Sequence, residues 1–279
     1  MLSNKEVITS RQNPTVKQIC ALLDKKARRE SGLFRFDGLK LFCEAIACGL
    51  SIERVVLSRG AAVTVTDAVE REIESGRLEI SRVICVSDEV FSKLSEERAP
   101  EGIVTVARAI EHKHRALRNA GELRVKSGER LLLCEALRDP GNLGTVIRSC
   151  AALGVERLVI SDDCADLYNP KTIRAAMGGL FRTEIDIIPS DSFADAIALL
   201  REGGRRVYAA ALHRDAKVVG ELELRPGDCF VIGNEGHGLS QTVIDACDAC
   251  AIIPMTEGSE SLNAAAAAAI CIWETVRAK

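Results

Sequence analysis

The amino-acid sequence predicts an α/β protein with a parallel sheet in its C-terminal half and a smaller α/β domain before it. Short apolar runs alternate with amphipathic helical stretches along nearly the whole chain, which is the pattern of strand–helix units. In the C-terminal half these runs are almost continuously apolar, as expected of strands that are covered on both faces. Several of them end in turns rich in glycine, asparagine and serine, and ligands bind at that edge of an open sheet.

The first domain is predicted to span residues 1–108. Its first helix, over 15–31, places apolar Val16 and Ile19 on one face and a row of lysines and arginines on the other. Gly49 follows the next helical run and is a typical helix stop. Further helices are predicted at 39–49, 66–76 and 88–95, and strands at 33–38, 52–58, 82–87 and 102–110.

Residues 109–128 are basic and poor in apolar side chains, and they predict either a linker or a helix that leads into the second domain. That domain is predicted to span 129–279. Its predicted strands lie at 130–137, 157–161, 181–188, 206–212, 228–233 and 249–254, and its helices at 145–154, 171–178, 191–203, 240–248 and 262–278.

Size and composition favour a protein of the cytoplasm. A chain of 279 residues, 47% of them hydrophobic, is long enough for two domains or one large one. No run of 18 apolar residues predicts a membrane span, and the first residues lack the apolar core of a secretion signal. Most of the 11 cysteines lie in apolar runs, which indicates buried free thiols. Cys247 and Cys250 form a single CxxC pair without the second pair that a zinc site needs, so no metal is expected.

Charge is distributed unevenly although the net charge is only −3. Residues 1–40 contain nine basic and four acidic side chains. This surplus fits either a phosphate-binding face or an ordinary solvated helix surface, and charge alone favours neither.

Three segments combine a strand end or a polar turn with a helix start: DPGNLGTVIRSCAALGV, FVIGNEGHGLS and IPMTEGSESLNAAAAAAI. Gly233, Gly236 and Gly238 permit close approach of a ligand, but their spacing is not that of a dinucleotide or P-loop motif. Ser261 is a plausible helix N-cap, and Asn263 is then expected in the first turn, where free N–H groups can hold a carboxylate. Arg148 has apolar neighbours in sequence, and an arginine in such a position usually forms an ion pair or extends its charged end to solvent, which does not by itself indicate a catalytic role.

In order and spacing these segments resemble the SpoU (TrmH-like) family of RNA ribose 2′-O-methyltransferases, part of the SPOUT superfamily. The resemblance covers about residues 129–279 strongly and 8–108 more loosely. A fourth block, NPKTIRAAMGGLF, also matches. The motif residues are Asn142, Gly144, Arg148 and Gly154; Gly233, Asn234, Glu235, Gly236, Gly238, Leu239 and Ser240; Ile253, Pro254, Met255, Ser261, Leu262 and Asn263; and Asn169, Pro170, Lys171, Arg174, Gly178 and Phe181.

The resemblance implies a trefoil-knotted α/β domain that binds S-adenosylmethionine and needs no metal. It makes Arg148 the main catalytic candidate, which we interpret as a clamp on the target phosphate because a guanidinium stays protonated and is a poor general base. Asn142, Glu235, Ser261 and Asn263 are expected to position the acceptor. The expected cofactor-binding residues are Ala210, Ala211, Leu212, Gly233, Asn234, Gly238, Ile253, Met255, Ser261, Leu262 and Asn263.

The N-terminal domain resembles the ribosomal-protein-like, RNA substrate-binding domain that often precedes this catalytic domain. The resemblance also implies a homodimer, with the alanine-rich last helix as its interface, and ribosomal RNA is favoured over transfer RNA as substrate. An RNA-binding protein without chemistry and a nicotinamide-dependent oxidoreductase are the alternatives. The expected RNA contacts are Arg11, Asn13, Lys25, Lys26, Arg28, Arg29, Arg35, Lys171 and Arg174.

Overall fold

A computed structural model describes Leu2 and residues 5–97, 99–213, 215–256 and 261–277. The chain forms two compact units. The first comprises Met1–Ile110 together with Tyr168–Arg174, and the second comprises Glu111–Leu167 and Ala175–Lys279. The first unit thus includes a short segment from the C-terminal half, which the predicted domain boundary at residues 109–128 assigned to the second domain.

The first unit is built on a mixed sheet of five strands in the order β1-β4-β3-β5-β2. β1, β3 and β4 are parallel, whereas β5 runs antiparallel to β2 and β3. The strands are β1 (Val7–Ile8), β2 (Leu33–Asp37), β3 (Ile52–Ser58), β4 (Val83–Val86) and β5 (Ile103–Arg108), and the helices are α1 (Pro14–Ala21), α2 (Lys25–Ser31), α3 (Leu39–Ala47), α4 (Val63–Glu74) and α5 (Asp88–Leu94).

The single helix predicted over 15–31 is wrong, because the chain forms α1 and α2 with a break between them. The Asp24 carboxylate accepts hydrogen bonds from the backbone N–H groups of Lys26 and Ala27, at 2.8 and 3.2 Å, and so caps a new helix. Leu22, just before the break, packs with Val16 and Ile19 into the core of this unit.

The second unit contains a sheet of eight parallel strands in the order β11-β13-β10-β12-β7-β8-β9-β6. All residues of β7, β8 and β12 are buried, so the predicted sheet with two covered faces is confirmed. The strands are β6 (His114–Ala116), β7 (Leu131–Cys134), β8 (Arg157–Ser161), β9 (Glu184–Ile188), β10 (Val207–Ala210), β11 (Lys217–Val218), β12 (Cys229–Ile232) and β13 (Ala249–Ile252), and the helices are α6 (Pro140–Leu153), α8 (Phe193–Glu202), α9 (Gln241–Ala246) and α10 (Ala264–Arg277). The intervening helix, α7 (Pro170–Ala176), belongs to the first unit as far as Arg174.

The strand order places a reversal of winding inside this sheet. From β7 the chain builds outward through β8 and β9 on one side, and then returns to place β12, β10 and β13 on the other. The direction of winding reverses between β7 and β12, and ligands of open α/β sheets bind near such a reversal, at the carboxyl ends of the strands.

The predicted linker at 109–128 proves to include an edge strand of the second unit. Arg115 on β6 binds the fully buried Asp186 on β9 through two hydrogen bonds of 2.7 and 2.8 Å. Arg157 also binds Asp186, at 2.9 Å, and Glu129, at 2.9 Å. The segment is held both by these ion pairs and by a few apolar side chains, Leu117, Ala120, Leu123 and Val125, which pack against the core of the second unit. Its basic composition therefore resembled that of a linker although the segment is part of the fold.

His114, on the same edge strand, should make stability depend on pH. Burial lowers its pKa to about 4, against its hydrogen bond to the Leu180 carbonyl. Because its pKa in the folded protein lies below the ordinary value, His114 adds to the free energy of unfolding in its neutral form. This contribution, about 3 kcal/mol in total, is complete above about pH 6.5 and is lost as the pH falls to about 4. We expect the pH 5 to pH 7.5 difference in urea unfolding, followed by fluorescence of the single tryptophan, Trp273, to shrink in His114→Gln. An unchanged difference would contradict this role.

All 11 cysteines are free thiols, and most of them are buried, including Cys247 and Cys250 of the CxxC pair. Burial raises the pKa of Cys247 to about 12. Within the described parts of the chain, no helix is long and apolar enough to cross a membrane.

Candidate active site

The loop after β7 (residues 135–139, the β7 loop) leads directly into α6. This helix begins at Pro140, five residues before the start at 145 that the apolar pattern of the sequence predicts. Pro140 occupies the first turn, where its missing N–H costs nothing, and the Asp139 carboxylate accepts a hydrogen bond from the Asn142 N–H at 2.8 Å. Ala136 has a left-handed backbone (φ 51°), and its N–H is held by the Ser161 hydroxyl at 2.8 Å. The backbone of Asn142 is thereby held in the first turn of a capped helix.

The loop after β12 (residues 233–239, the glycine loop) folds back on itself. The backbones of Asn234 and Gly238 exchange two hydrogen bonds of 2.9 and 3.0 Å, and the Asn234 side-chain oxygen accepts from the N–H groups of Gly236 and His237. A Cβ at Gly233 would lie 2.4 Å from the carbonyl carbon of Gly238. This close approach is the physical reason for glycine at position 233.

Glu235 joins the two loops. Its carboxylate accepts from the Asp139 N–H and the Asn142 side-chain amide, both at 3.0 Å, and from the Arg138 N–H at 3.2 Å. Burial raises the pKa of Glu235, but the hydrogen bonds outweigh this effect and the net pKa is lowered. The residue is therefore a carboxylate near neutral pH, suited to orienting amides.

The network continues to the helix after β13. The Asn263 side chain donates to the Asn142 side-chain oxygen at 2.9 Å, and its own oxygen accepts from the N–H groups of Ala265 and Ala266. Asn263 is thus the N-cap of α10. The expected cap at Ser261 is wrong, because the helix begins at Ala264 and Ser261 lies too far before it.

A cavity of about 480 Å³ lies at the carboxyl ends of β10, β12 and β13. Ten of the eleven predicted cofactor contacts line it, and Asn263 lies outside the lining. Leu212 and Leu262, which are 70% and 40% exposed, are apolar lining residues open to solvent. The ten are Ala210, Ala211, Leu212, Gly233, Asn234, Gly238, Ile253, Met255, Ser261 and Leu262.

The cavity is lined by further residues besides the predicted ones, among them His237 of the glycine loop. His237 is exposed and also lines the cavity. Sequence analysis missed Glu135, whose carboxylate accepts hydrogen bonds from the N–H and the hydroxyl of Ser240, at 2.8 and 2.5 Å.

Arg148 lies on α6 and is exposed to solvent. Across the described ranges it makes no ion pair and no hydrogen bond through its side chain. It lies outside the cavity lining, six residues along the helix from Asn142. A guanidinium in this state is available to an external anion.

The predicted RNA contacts divide into exposed and buried side chains. Arg28 and Arg35 are only 7% and 2% exposed. Arg28 donates to the carbonyls of Leu22 and Leu23, and Arg35 donates to Asp37 and to a backbone carbonyl. Both assignments as RNA contacts are therefore wrong for this structure, since these guanidinium groups support their own unit.

The other predicted contacts lie at the surface or at a helix start. Arg11 pairs with Glu89 at 3.0 Å, and Arg174 pairs weakly with Glu97 at 3.7 Å. Asn13 is half-buried and caps α1 by accepting from the Thr15 N–H at 2.9 Å. The remaining exposed side chains are those of Lys25, Lys26, Arg29 and Lys171.

A parallel sheet whose strand-end loops are joined by a carboxylate–amide network around an open cavity defines the second unit as the ligand-binding domain of an α/β enzyme. The model of the SpoU rRNA Methylase family matches residues 129–273, and the chain belongs to this family. The model of the MRM3-like substrate binding domain matches residues 13–105. The predicted family and fold class are confirmed, while the trefoil knot stays a prediction.

Similar proteins cover nearly the whole chain. The 23S rRNA (guanosine(2553)-2′-O)-methyltransferase RlmP of Bacillus subtilis is 29% identical over 95% of this chain and 97% of its own length. A 23S rRNA (uridine(2479)-2′-O)-methyltransferase of Streptomyces viridochromogenes is also 29% identical, over 97% of this chain and 91% of its own. The crystal structure of AdoMet-bound rRNA methyltransferase from Sinorhizobium meliloti has a TM-score of 0.80 at 28% identity, covering 98% of this chain and 97% of that one.

Proposed function

We propose that this protein transfers a methyl group from S-adenosylmethionine to a ribose 2′-hydroxyl of ribosomal RNA. The observation that carries the proposal is the cavity beside the Glu235–Asn142–Asn263 network, at the edge of the sheet where ligands bind. Bound S-adenosylmethionine supplies an electrophilic methyl group. A volume of about 480 Å³ and walls of backbone polar groups and apolar side chains fit a molecule of that size and mixed polarity.

The chain's own residues are assigned to positioning rather than to metal or covalent chemistry. The Asn142 side chain accepts one hydrogen bond from Asn263 and donates one to Glu235, so its orientation is fixed before any ligand arrives. Arg148 is proposed to clamp the phosphate beside the target ribose, which favours ionisation of the 2′-hydroxyl. Ser261, in the cavity wall, is proposed to hold the acceptor near the methyl group. Holding two reactants in a reactive geometry supplies most of the rate in such transfers.

Ribosomal RNA is favoured over transfer RNA because the first unit matches a substrate-binding domain and the relatives named above act on 23S rRNA. Exposed Arg11, Lys25, Lys26, Arg29, Lys171 and Arg174 are proposed to bind phosphates, and Asn13 is retained as a proposed RNA contact. Contacts of this kind position RNA without reading its sequence. We also propose that the protein acts in the cytoplasm.

The test is transfer of labelled methyl from S-adenosylmethionine to total RNA from a strain that lacks the gene, followed by digestion to nucleosides and mass spectrometry. We expect a labelled 2′-O-methylnucleoside in the ribosomal size class. Label in transfer RNA would change the substrate. Label on a base would overturn the ribose chemistry, and a protein that binds RNA but no cofactor would favour the binding module without chemistry.

A homodimer through α10 is the proposed assembly. Ile270 and Trp273 are 37% and 54% exposed on the side of α10 that also carries exposed Ala266. An apolar face of this kind is better covered by a second copy than by water. We expect Trp273→Lys to shift sedimentation from dimer to monomer, whereas Val63→Lys, at a 72% exposed position on α4, leaves the dimer intact. A wild-type protein that sediments as a monomer would contradict the proposal.

A further inference from the structure

Glu135 is a half-buried carboxylate directly after β7 that none of the assigned roles uses. Its backbone N–H donates to the Ile232 carbonyl at 2.9 Å, which continues the pairing of β7 with β12. Its two carboxylate oxygens accept from the Ser240 N–H at 2.8 Å and from the Ser240 hydroxyl at 2.5 Å. Ser240 is the residue at which the glycine loop ends and α9 begins.

Each of the two loops therefore provides a carboxylate that accepts hydrogen bonds from the other loop. Glu135, from the β7 loop, holds the end of the glycine loop, whereas Glu235, from the glycine loop, holds the N–H groups of the β7 loop. The Asn234 side chain adds a hydrogen bond to the Ala136 carbonyl at 2.7 Å. Glu235 fixes the side of the crevice that contains Asn142, and Glu135 fixes the other end of the glycine loop.

That second end forms part of the cavity wall. Leu239, immediately before Ser240, lines the cavity, and its backbone N lies 2.5 Å from where a Gly233 Cβ would be. A shift of Ser240 would therefore be transmitted directly to both ends of the loop. Hydrogen bonds to a charged acceptor are about twice as strong as neutral ones, so Glu135 is suited to hold this wall in place before a ligand binds.

We infer that Glu135 is a positioning residue that acts through Ser240 to preorganise the glycine-loop wall of the cofactor cavity. The inference rests on the proposed function, because it assigns the cavity to S-adenosylmethionine. It predicts that losing the contact weakens binding of the cofactor more than it slows the chemical step.

The experiment measures the Kd for S-adenosylmethionine by calorimetry, and then the single-turnover methylation rate at saturating cofactor. For Glu135→Ala we expect the Kd to rise about 10-fold while the saturated rate changes about threefold or less. Glu135→Gln should recover part of the affinity, since its amide can accept from the Ser240 N–H and donate to the hydroxyl but lacks the charge. Glu156→Ala is the matched control, because the exposed Glu156 carboxylate also holds a backbone N–H, that of Arg130 at 3.0 Å, outside the cavity.

The coupling between Glu135 and Ser240 provides a second test. Variants of Ser240 can still be measured if Glu135→Ala folds poorly. Ser240→Ala is expected to bind about fivefold more weakly and Ser240→Thr like the wild type, and Ser240→Ala should add little to Glu135→Ala. The inference would be overturned, and the proposed function left standing, if Glu135→Ala bound S-adenosylmethionine as tightly as the wild type. The same holds if Ser240→Ala and Ser240→Thr had equal affinities. A wild-type protein that does not bind S-adenosylmethionine would overturn the proposed function itself.

Discussion

Replacing Arg148 by alanine is expected to abolish methylation, with a loss of at least about two to three orders of magnitude, while cofactor affinity stays nearly unchanged. The side chain is exposed, lies outside the cavity lining and is unpaired within the described residues, so its removal leaves the cofactor walls intact. What is lost is the proposed clamp on the target phosphate. The measurement pairs a methylation rate with a calorimetric Kd for S-adenosylmethionine.

Two comparisons sharpen the Arg148 experiment. Arg148→Lys keeps the charge but not the two-pronged donor geometry, so partial rescue is expected, well below the wild-type rate. Arg130→Ala removes an arginine from the same unit outside the proposed machinery and should leave the rate unchanged. If cofactor binding collapses in Arg148→Ala, the assignment of this arginine to the acceptor is wrong.

The second large effect is expected from Gly233→Ala, which should weaken S-adenosylmethionine binding by about 100-fold or more. The added methyl group would lie 2.4 Å from the Gly238 carbonyl carbon and 2.5 Å from the Leu239 N. These are backbone atoms, so the glycine loop itself must move, and the paired hydrogen bonds between Asn234 and Gly238 cannot persist. Overpacking of this kind also costs about 1–3 kcal/mol of unfolding free energy.

Gly220→Ala is the matched control, because a Cβ at Gly220 meets nothing within 4 Å. Calorimetry gives the affinities, and thermal unfolding separates a displaced loop from an unfolded unit. An affinity of Gly233→Ala within about threefold of the wild type would show that the loop tolerates the displacement and that its closed form does not govern binding.

The cavity was predictable mainly through the resemblance to a known family, which supplied its lining residues, while composition alone indicated only that glycine-rich turns lie at a strand end. Glycine at 233 marks a close approach of two backbone segments, and ten of the eleven residues predicted to contact the cofactor line the cavity. The choice between Ser261 and Asn263 as helix cap was not predictable. Both residue types cap helices well, and only the position at which the chain turns decides between them.

For the basic residues, the sequence did not show which side chains are free to bind RNA. Periodicity placed Arg28 on the solvent face of one long helix, but the Asp24 cap starts a new helix and changes the phase, which turns Arg28 inward. Arg35 is buried because its guanidinium finds partners in Asp37 and a backbone carbonyl. Counting charges cannot distinguish an arginine that binds its own chain from one that is free to bind RNA.

The network at the crevice also has a consequence for synthesis of the protein. Its hydrogen bonds join residues far apart in sequence: 96 positions separate Asp139 from Glu235, and 121 separate Asn142 from Asn263. Contacts this distant form late, after the entropy of closing long loops has been overcome. A nascent chain that has not yet exposed Asn263 can hold neither the complete network nor α10. Competence for the proposed reaction thus arises only after the segment that contains Asn263 has been synthesised, so chains that lack this segment cannot hold the site in its complete form.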